Sequence, residues 1–423
     1  MTKDSLRNIT PDSLSGLIFG FEGIKKALVI LNGPTGCKFY HSITVDNQSL
    51  RKDDYDPLNY PEEWYFGQGR VPSTYLDKRD YVYGSEDKIR DILSFILSRT
   101  TPSVVAVVNS PGAALIGDDL ERIVAGTLSD EQKTLPFITC QSPGYSKDVS
   151  EGYSRACSLA VKALAADRGG TEAADGAGGA KRAPVVNILG LSIYHKYHQG
   201  DSEELKRLLG LAGVKVNTIL LCESTVDEIK RVPQADLNIV IDEEYGLANA
   251  KELEKEFGTP YIVPGSGFPV GFKAAEALLR DMENSLNGRS VRAGEYDFDT
   301  APAFTEIEKA RATAYIHIAR MSSITGLPKG VPFSCHGSDS VRRGYASFLK
   351  DHLGMTETSD DEAADIILSD GNTIACLKSE GLDFSGIEIS LPTIGYIDVI
   401  PKTHIGALGG LFLVEQILNG LSY

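Results

Sequence analysis

The sequence predicts an α/β fold of three Rossmann-like units built on parallel sheets, and two observations carry that prediction. Short apolar runs alternate with helical patterns along the whole chain, as parallel strands joined by crossover helices require. A Gly/Ala-rich stretch without periodicity, Gly169 to Lys181, interrupts the rhythm once and reads as a flexible linker. At 423 residues the chain has room for two or three domains of roughly 100–200 residues each.

The first unit, residues 1–168, takes its strands from Ala27–Leu31, Ser103–Asn109 and Leu135–Cys140. Each is followed by a Gly/Pro loop and then a helix. Asp118-Asp119-Leu120-Glu121 puts acids in a first helical turn, where the helix dipole favours them. Ser150-Glu151-Gly152 opens a helix to about Asp167, whose buried face holds Tyr153, Ala156, Ala160 and Leu164 and makes Cys157 a packing residue. Between Cys37 and Tyr81 runs a long polar stretch with Trp64, Tyr65 and Phe66, read as an ordered loop.

After the linker, 169–183, the second unit (184–300) takes its strands from Val185–Leu191, Val216–Leu221, Leu237–Asp242 and Tyr261–Val263. Its helix Tyr245–Phe257 carries Leu247, Ala250, Leu253 and Phe257 on one face. The third unit (301–423) begins with a long helix, about Phe304 to Ile324. Strands at Val331–Ser334, Ala364–Leu368 and Ile387–Ile389 and a closing helix, Gly409–Leu418, complete it.

A formal charge of −16 argues against nucleic acid or an anionic membrane as partner. No run of roughly 18 apolar residues and no signal-peptide core is present, so a soluble cytoplasmic protein is expected. Six cysteines without a CxxC pair do not describe a disulfide framework. A cofactor held by them must draw on residues far apart in sequence, or on two chains. The absence of GxxxxGK[ST] makes nucleotide hydrolysis on this chain improbable, and the absence of GxGxxG after the first strand weakens a nicotinamide or flavin reading.

Gly33-Pro34-Thr35-Gly36-Cys37 leaves a thiol at a tight turn after a buried strand, where ligands of open α/β sheets gather. Cys37 is there for chemistry or is a small buried thiol near a turn. The Asn109-Ser110-Pro111-Gly112 loop and Cys140 end the other two strands, so all three open on one sheet edge if the strands are parallel. Cys140 is either a second ligand or a core thiol. His195 and His198 follow a strand with HxxH spacing but no third ligand nearby, which favours substrate contact or a solvated loop over a metal. His404, before the glycine-rich turn into the last helix, is a candidate pocket-lining donor. Cys222 and Cys335 end later strands singly, adjacent Cys335-His336 rarely chelate one ion, and Cys376 reads as packing.

In order along the chain these motifs resemble component 1 of the nitrogenase superfamily, which includes dinitrogenase subunits and light-independent tetrapyrrole reductases. Gly33-Pro34-Thr35-Gly36-Cys37 resembles its GPxGC loop, whose cysteine binds an iron–sulfur cluster at the subunit interface. Ser73-Thr74 through Asp80-Tyr81-Val82-Tyr83-Gly84 is similar to its ST…ExDxVFGG stretch, and Leu115-Ile116-Gly117-Asp118-Asp119 to its IGDD segment. Ser142-Pro143-Gly144-Tyr145…Gly152-Tyr153 resembles TPxF…GY, and Gly406…Gly409 with a final apolar helix resembles the family's ending.

This chain departs from the family in three places. Residues 1–36 lack the upstream cysteine, Ser110-Pro111-Gly112 stands where a further cysteine usually sits, and about Asp242 replaces the cysteine beside the dinitrogenase metal cofactor. The resemblance implies an iron–sulfur cluster, [4Fe–4S], which normally takes four thiolates. One Cys37 from each chain of a dimer supplies two. The rest come from Cys140 in a homodimer, from a cysteine-richer related subunit in a heteromer, or from a non-thiolate oxygen. The resemblance also implies an ATP-dependent iron–sulfur reductase as electron source and a small-molecule substrate in the cleft between the units. Two further readings stay open: a cofactor-assembly scaffold of the same fold, and a non-redox binding protein that has lost the cluster.

Overall fold

The three apolar runs of the first third form one parallel sheet: β1 (Ala27–Asn32), β2 (Val104–Asn109) and β3 (Phe137–Cys140), in the order β1-β2-β3. The central strand, VVAVVN, is buried along its length, which is why it shows no polar alternation. The computed structural model describes residues 12–37, 71–141, 147–165, 181–288, 296–393 and 398–421. The Trp64 stretch, Ser142-Pro143-Gly144-Tyr145 and the Gly/Ala-rich segment up to residue 180 lie outside them.

The described residues divide into two compact units, one drawn from Thr10–Ala166 and Leu220–Val232, the other from Asp167–Ile219 and Pro233–Tyr423. In the first, helix α1 (Ser13–Glu22) precedes β1, and α2 (Glu86–Leu97) and α3 (Leu120–Thr127) flank β2 in the chain. Ile89, Leu93, Leu120, Ile123 and Val124 of α2 and α3 share a core with Ile30, Val105 and Val107 of the sheet. Helix α4 (Val149–Leu164) follows β3.

Helix α1, SLSGLIFGFE, has every residue buried and so carries no amphipathic stripe by which the sequence would betray it. It meets α4 backbone to backbone. A Cβ on Gly16 would lie 2.0 Å from Val149 O, and one on Gly152 2.0 Å from Ser13 O. The segment Leu220–Val232 joins this unit because Lys25 N donates to Ser224 O (2.7 Å) and the Tyr153 hydroxyl donates to Leu220 O.

The other unit holds two parallel four-stranded sheets. Strands β4 (Val185–Leu189), β5 (Lys215–Ile219), β6 (Leu237–Val240) and β7 (Tyr261–Ile262) lie in the order β5-β4-β6-β7. Strands β8 (Pro332–Cys335), β9 (Thr356–Glu357), β10 (Ile366–Asp370) and β11 (Ser385–Ser390) lie in the order β11-β10-β8-β9. Each sheet is doubly wound. The chain leaves the first strand to one side and then crosses to the other, so the switch points fall between β4 and β6 and between β8 and β10. The helices are α5 (His198–Leu211), α6 (Glu243–Phe257), α7 (Gly271–Gly288), α8 (Ala301–Thr325), α9 (Asp339–Leu353), α10 (Gly371–Ser379) and α11 (Gly406–Gly420).

Candidate functional site

In-register pairing sets Asn32 at the end of β1 beside Asn109 at the end of β2. Asn32 Nδ2 donates to Asn109 Oδ1 (2.8 Å) and to Ser85 Oγ (3.0 Å), while its Oδ1 accepts from Thr74 Oγ1 (2.8 Å). Gly33 N donates to Thr74 Oγ1 and Ser73 Oγ donates to Gly33 O, both at 3.0 Å. Ser85 donates to Asp118 Oδ2 through its backbone N (2.6 Å) and its hydroxyl (2.7 Å), and Asn109 Nδ2 donates to Gln141 O (3.1 Å). Sequence segments tens of residues apart thus converge on one loop. A buried network with every member partnered fixes backbone position, and here it fixes the path of Gly33-Pro34-Thr35-Gly36-Cys37.

Cys37 is half-buried at the end of this loop. Burial pushes its thiol up, a hydrogen bond with Ser110 pulls it back, and the charge of Asp12 adds to the rise. Gly33 makes the Ser110 approach possible, since a Cβ there would lie 2.7 Å from Ser110 Oγ. Nearby, Tyr81 packs over Gly112, whose added Cβ would lie 3.0 Å from its phenol oxygen. Burial pushes the Tyr81 phenol up, with smaller contributions from neighbouring Cys37 and Asp80. Val82, Tyr83 and Leu115 are exposed to 73%, 80% and 80%. Cys140 is buried on β3, paired with Val108, and β2 lies between it and β1.

A second cluster occupies the switch point between β4 and β6. The chain leaving β4 passes so close to β6 that a Cβ on Gly190 would lie 2.5 Å from Asp242 O. Asp242 is fully buried and caps α6, its Oδ1 accepting from Glu244 N (3.0 Å). Its Oδ2 lies 3.3 Å from His195 Nε2 and accepts from Ser338 Oγ at 3.5 Å. His195 Nδ1 lies 3.1 Å from Ser192 N and 3.3 Å from Ser192 O, and taking the shorter contact as Ser192 N donating assigns the imidazole proton to Nε2, facing Asp242. The ring stacks on Phe268, with centroids 5.6 Å apart. Glu244 Oε1 accepts from Ser340 N (3.0 Å), whereas its buried Oε2 has no partner. Burial, a hydrogen bond shared with Asp242 and the charge of Asp242 together push Glu244 up to about 7.

His198 is buried and donates from Nδ1 to His195 O (2.9 Å). His404 is fully enclosed. Its Nδ1 accepts from the Tyr345 hydroxyl (2.7 Å), its Nε2 donates to Gln416 Oε1 (2.6 Å), and burial holds it down to about 3. Cys157, Cys222, Cys335 and Cys376 are all buried, and burial pushes the Cys335 thiol up to about 12. No cysteine is in a disulfide. Sequence reasoning missed Asn32, Ser85, Glu244 and the buried Lys196–Glu388 pair (2.8 Å). Only Asn32 carried a signal, as a polar residue closing an apolar run.

The family model of the nitrogenase component 1 type oxidoreductases matches residues 14–359. The chain belongs to this family. It is 23% identical to a light-independent protochlorophyllide reductase chain of Huperzia lucidula over 342 residues, covering 74% of this chain and 61% of the relative. It is 30% identical to the nitrogenase iron-molybdenum cofactor biosynthesis protein NifE of Clostridium pasteurianum over 263 residues, covering 62% of this chain and 49% of the relative. The chain thus spans about half to three-fifths of the length of these curated relatives. Two solved structures share the fold. Nitrogenase Cp1 at pH 6.5 has a TM-score of 0.67 at 16% identity, over 97% of this chain and 92% of that one. Nitrogenase Cp1 at pH 5 has a TM-score of 0.70 at 17% identity, over 98% and 88%.

Family members of this type bind iron–sulfur clusters. Among the described residues, no group of three or more His, Cys, Asp or Glu is placed to hold a metal ion. The described residues of a single chain therefore do not fit a closed four-thiolate cluster. Nor is any described helix long and apolar enough to cross a membrane.

Proposed function

We propose that this protein is a cytoplasmic nitrogenase-like component 1 oxidoreductase subunit. It takes low-potential electrons from an ATP-dependent iron–sulfur reductase and reduces a small-molecule substrate. In this reading Cys37 is the thiolate the chain contributes to an iron–sulfur cluster, probed first as [4Fe–4S]. Another chain, in a homodimer or a heteromer with a related subunit, completes the ligand set, with Cys140 or the Ser110 oxygen as the candidates from this chain. The observation that carries the reading is the Cys37 loop. A half-buried thiol is held by a fully partnered network beside exposed Tyr83, Val82 and Leu115. In this reading these solvent-facing apolar groups belong to the face that the second chain covers.

The test starts with anaerobic purification, alone and with co-expressed related subunits, followed by iron, sulfide and EPR analysis and light scattering. Wild type should carry iron as a dimer or heteromer. Cys37→Ser should lose most of that iron, while Cys157→Ser and Cys376→Ser keep it. Turnover, with protochlorophyllide as first probe, should require the reductase, MgATP and dithionite together. Equal iron in Cys37→Ser, or full activity with NADPH alone, refutes the reading.

The 30% identity to a cofactor biosynthesis protein favours a second reading, a cofactor-assembly scaffold. A scaffold would lose iron with Cys37→Ser in the same way, yet would pass cluster to an acceptor protein and reduce no substrate. Wild type without iron would point to a binding protein.

A further inference from the structure

The Cys37 site leaves one part of a reduction unexplained. Each two-electron reduction of a double bond also consumes two protons, and the Cys37 network of amides and hydroxyls has none to release at neutral pH. The Asp242 cluster is differently equipped. It lies at the switch point of a doubly wound sheet, where such folds bind their ligands. It joins the start of α6 to the start of α9, through Ser338 Oγ to Asp242 and Ser340 N to Glu244.

Among the described residues, His195 from the loop after β4 and Ser338 contact Asp242, Ser340 contacts Glu244, and Arg343 contacts Glu243. Arg343 is taken up by an ion pair with Glu243, and among the described residues no lysine or arginine pairs with Asp242 or Glu244. Asp242, with His195, Ser338 and the Glu244 N–H around it, has the donors a carboxylate needs. Among the described residues Glu244 Oε1 accepts from Ser340 N, and its buried Oε2 is an acceptor without a donor. That oxygen gains a partner when it carries a proton of its own and donates it to Asp242. Fully buried Ser340 likewise has a hydroxyl without a partner, a second polar group at this junction left for something else to satisfy.

We propose that Glu244 is the proton donor for an unsaturated small-molecule substrate bound at this switch point, with Asp242 and His195 as positioning residues that hold its proton. The proposal rests on the oxidoreductase reading above. Glu244 gives one proton to the reduced atom, the second proton of the two-electron reduction comes from solvent water, and Glu244, left as carboxylate, is reprotonated from solvent before the next turnover. The electrons come from the low-potential iron–sulfur reductant. His195 Nε2 and Ser338 Oγ lie against Asp242 Oδ2, contacts that Glu244 Oε2 lacks, so the shared proton is placed on Glu244.

Two arms test it. The first needs no substrate: infrared pH titration of the whole protein, with carbon-13 glutamate labelling to assign the band. A protonated-carboxyl band should bleach as pH rises through about 7. It should be absent in Glu244→Gln, and a charged imidazole would show itself by a shift of the band to higher pH in His195→Gln. The nitrogen-15 signal of His195 should move with the same midpoint, and that movement should vanish in Glu244→Gln. A band that persists unchanged in Glu244→Gln, or none that titrates near neutral pH, overturns the proposal.

The second arm is the reconstituted assay. Glu244→Gln should lower turnover about a hundredfold with iron content unchanged, and Glu244→Asp should recover part of it with an altered pH profile. Full turnover in Glu244→Gln also overturns the proposal. Wild type that never turns over while the infrared band behaves as expected counts against the oxidoreductase reading, not against the shared proton. Binding of a divalent cation that bleaches the band would instead make the cluster a metal site and end the proton-donor role.

Discussion

The Cys37 loop and the Asp242 cluster are both built where parallel strands end, but from opposite materials. Around Cys37 the parts are amides and hydroxyls, each donor matched to an acceptor, with Asp118 as the outermost anchor. Around Asp242 two carboxylates and an imidazole share a buried junction, and two oxygens go without partners. A satisfied network built mainly of amides and hydroxyls holds its geometry over a wide pH range, and each of its bonds contributes about 1 kcal/mol. Two neighbouring carboxylates that no described lysine or arginine pairs with cannot both ionise cheaply. One region is suited to keeping a residue in place, and the other to changing its protonation. A redox protein needs both properties, and this chain puts them on different sheets.

The sharpest way to break this comparison is to remove the centre of the neutral network. Asn32→Ala deletes three hydrogen bonds and strands Ser85, Thr74 and Asn109. It should cost about 3 kcal/mol, read as a lowered urea midpoint with unchanged slope. A loss below about 1 kcal/mol would mean that the network is ornamental and the loop is held by something else.

Next in size come effects of pH, which should fall on the second unit. His404 is depressed from 6.5 to about 3, so its neutral form stabilises the fold above the unfolded value. That contribution is lost as pH falls toward about 3, because the unfolded chain takes up the proton first. Glu244 has the opposite sign. Raised from 4.5 to about 7, it favours the fold fully below 4.5, and that advantage is lost as pH climbs through about 7. Hydrogen exchange should therefore show α6 and α11 loosening at the two extremes, while β1 and β2 exchange evenly. Glu244→Gln should flatten the upper limb alone. If β1 and β2 follow the same pH profile, the contrast between the two regions fails.

Much of this was legible before the structure. The strand runs and the long helix declared themselves because buried parallel strands are continuously apolar and exposed helices are periodic. The Cys37 loop was visible because glycine and proline punctuate it. Helix α1 was hidden because it is apolar on all sides, and β9 because two residues carry no pattern. His195 was singled out, and Asp242 was read as the end of a strand and as the stand-in for a family cysteine, but nothing in the sequence paired the two. Glu244 was invisible in principle. An acid in a first helical turn ordinarily serves the dipole, and nothing local tells that the start of another helix lies against it.

The smallest prediction compares two serines that begin helices after strands. Ser110 caps Pro111–Ala114, accepting from Ala113 N at 3.3 Å, and Ser338 caps α9, accepting from Val341 N at 3.4 Å. On capping alone the two should lose equally on truncation to alanine, about 1 kcal/mol. Their surroundings separate them. Ser110 is fully buried and shares a hydrogen bond with Cys37, so no water replaces its oxygen, and both the thiol and Ala113 N are left wanting. Ser338 is partly exposed, and its bond to Asp242 is long at 3.5 Å, so water can take over both roles. Ser110→Ala should therefore cost about 1–2 kcal/mol and Ser338→Ala about 0.5 kcal/mol or less, measured side by side by urea unfolding. Equal losses would show that burial of the cap does not matter here. A larger loss at Ser338 would mean that the Asp242 cluster depends on its donors for structure, and that its unpartnered oxygens are not spare capacity for protons.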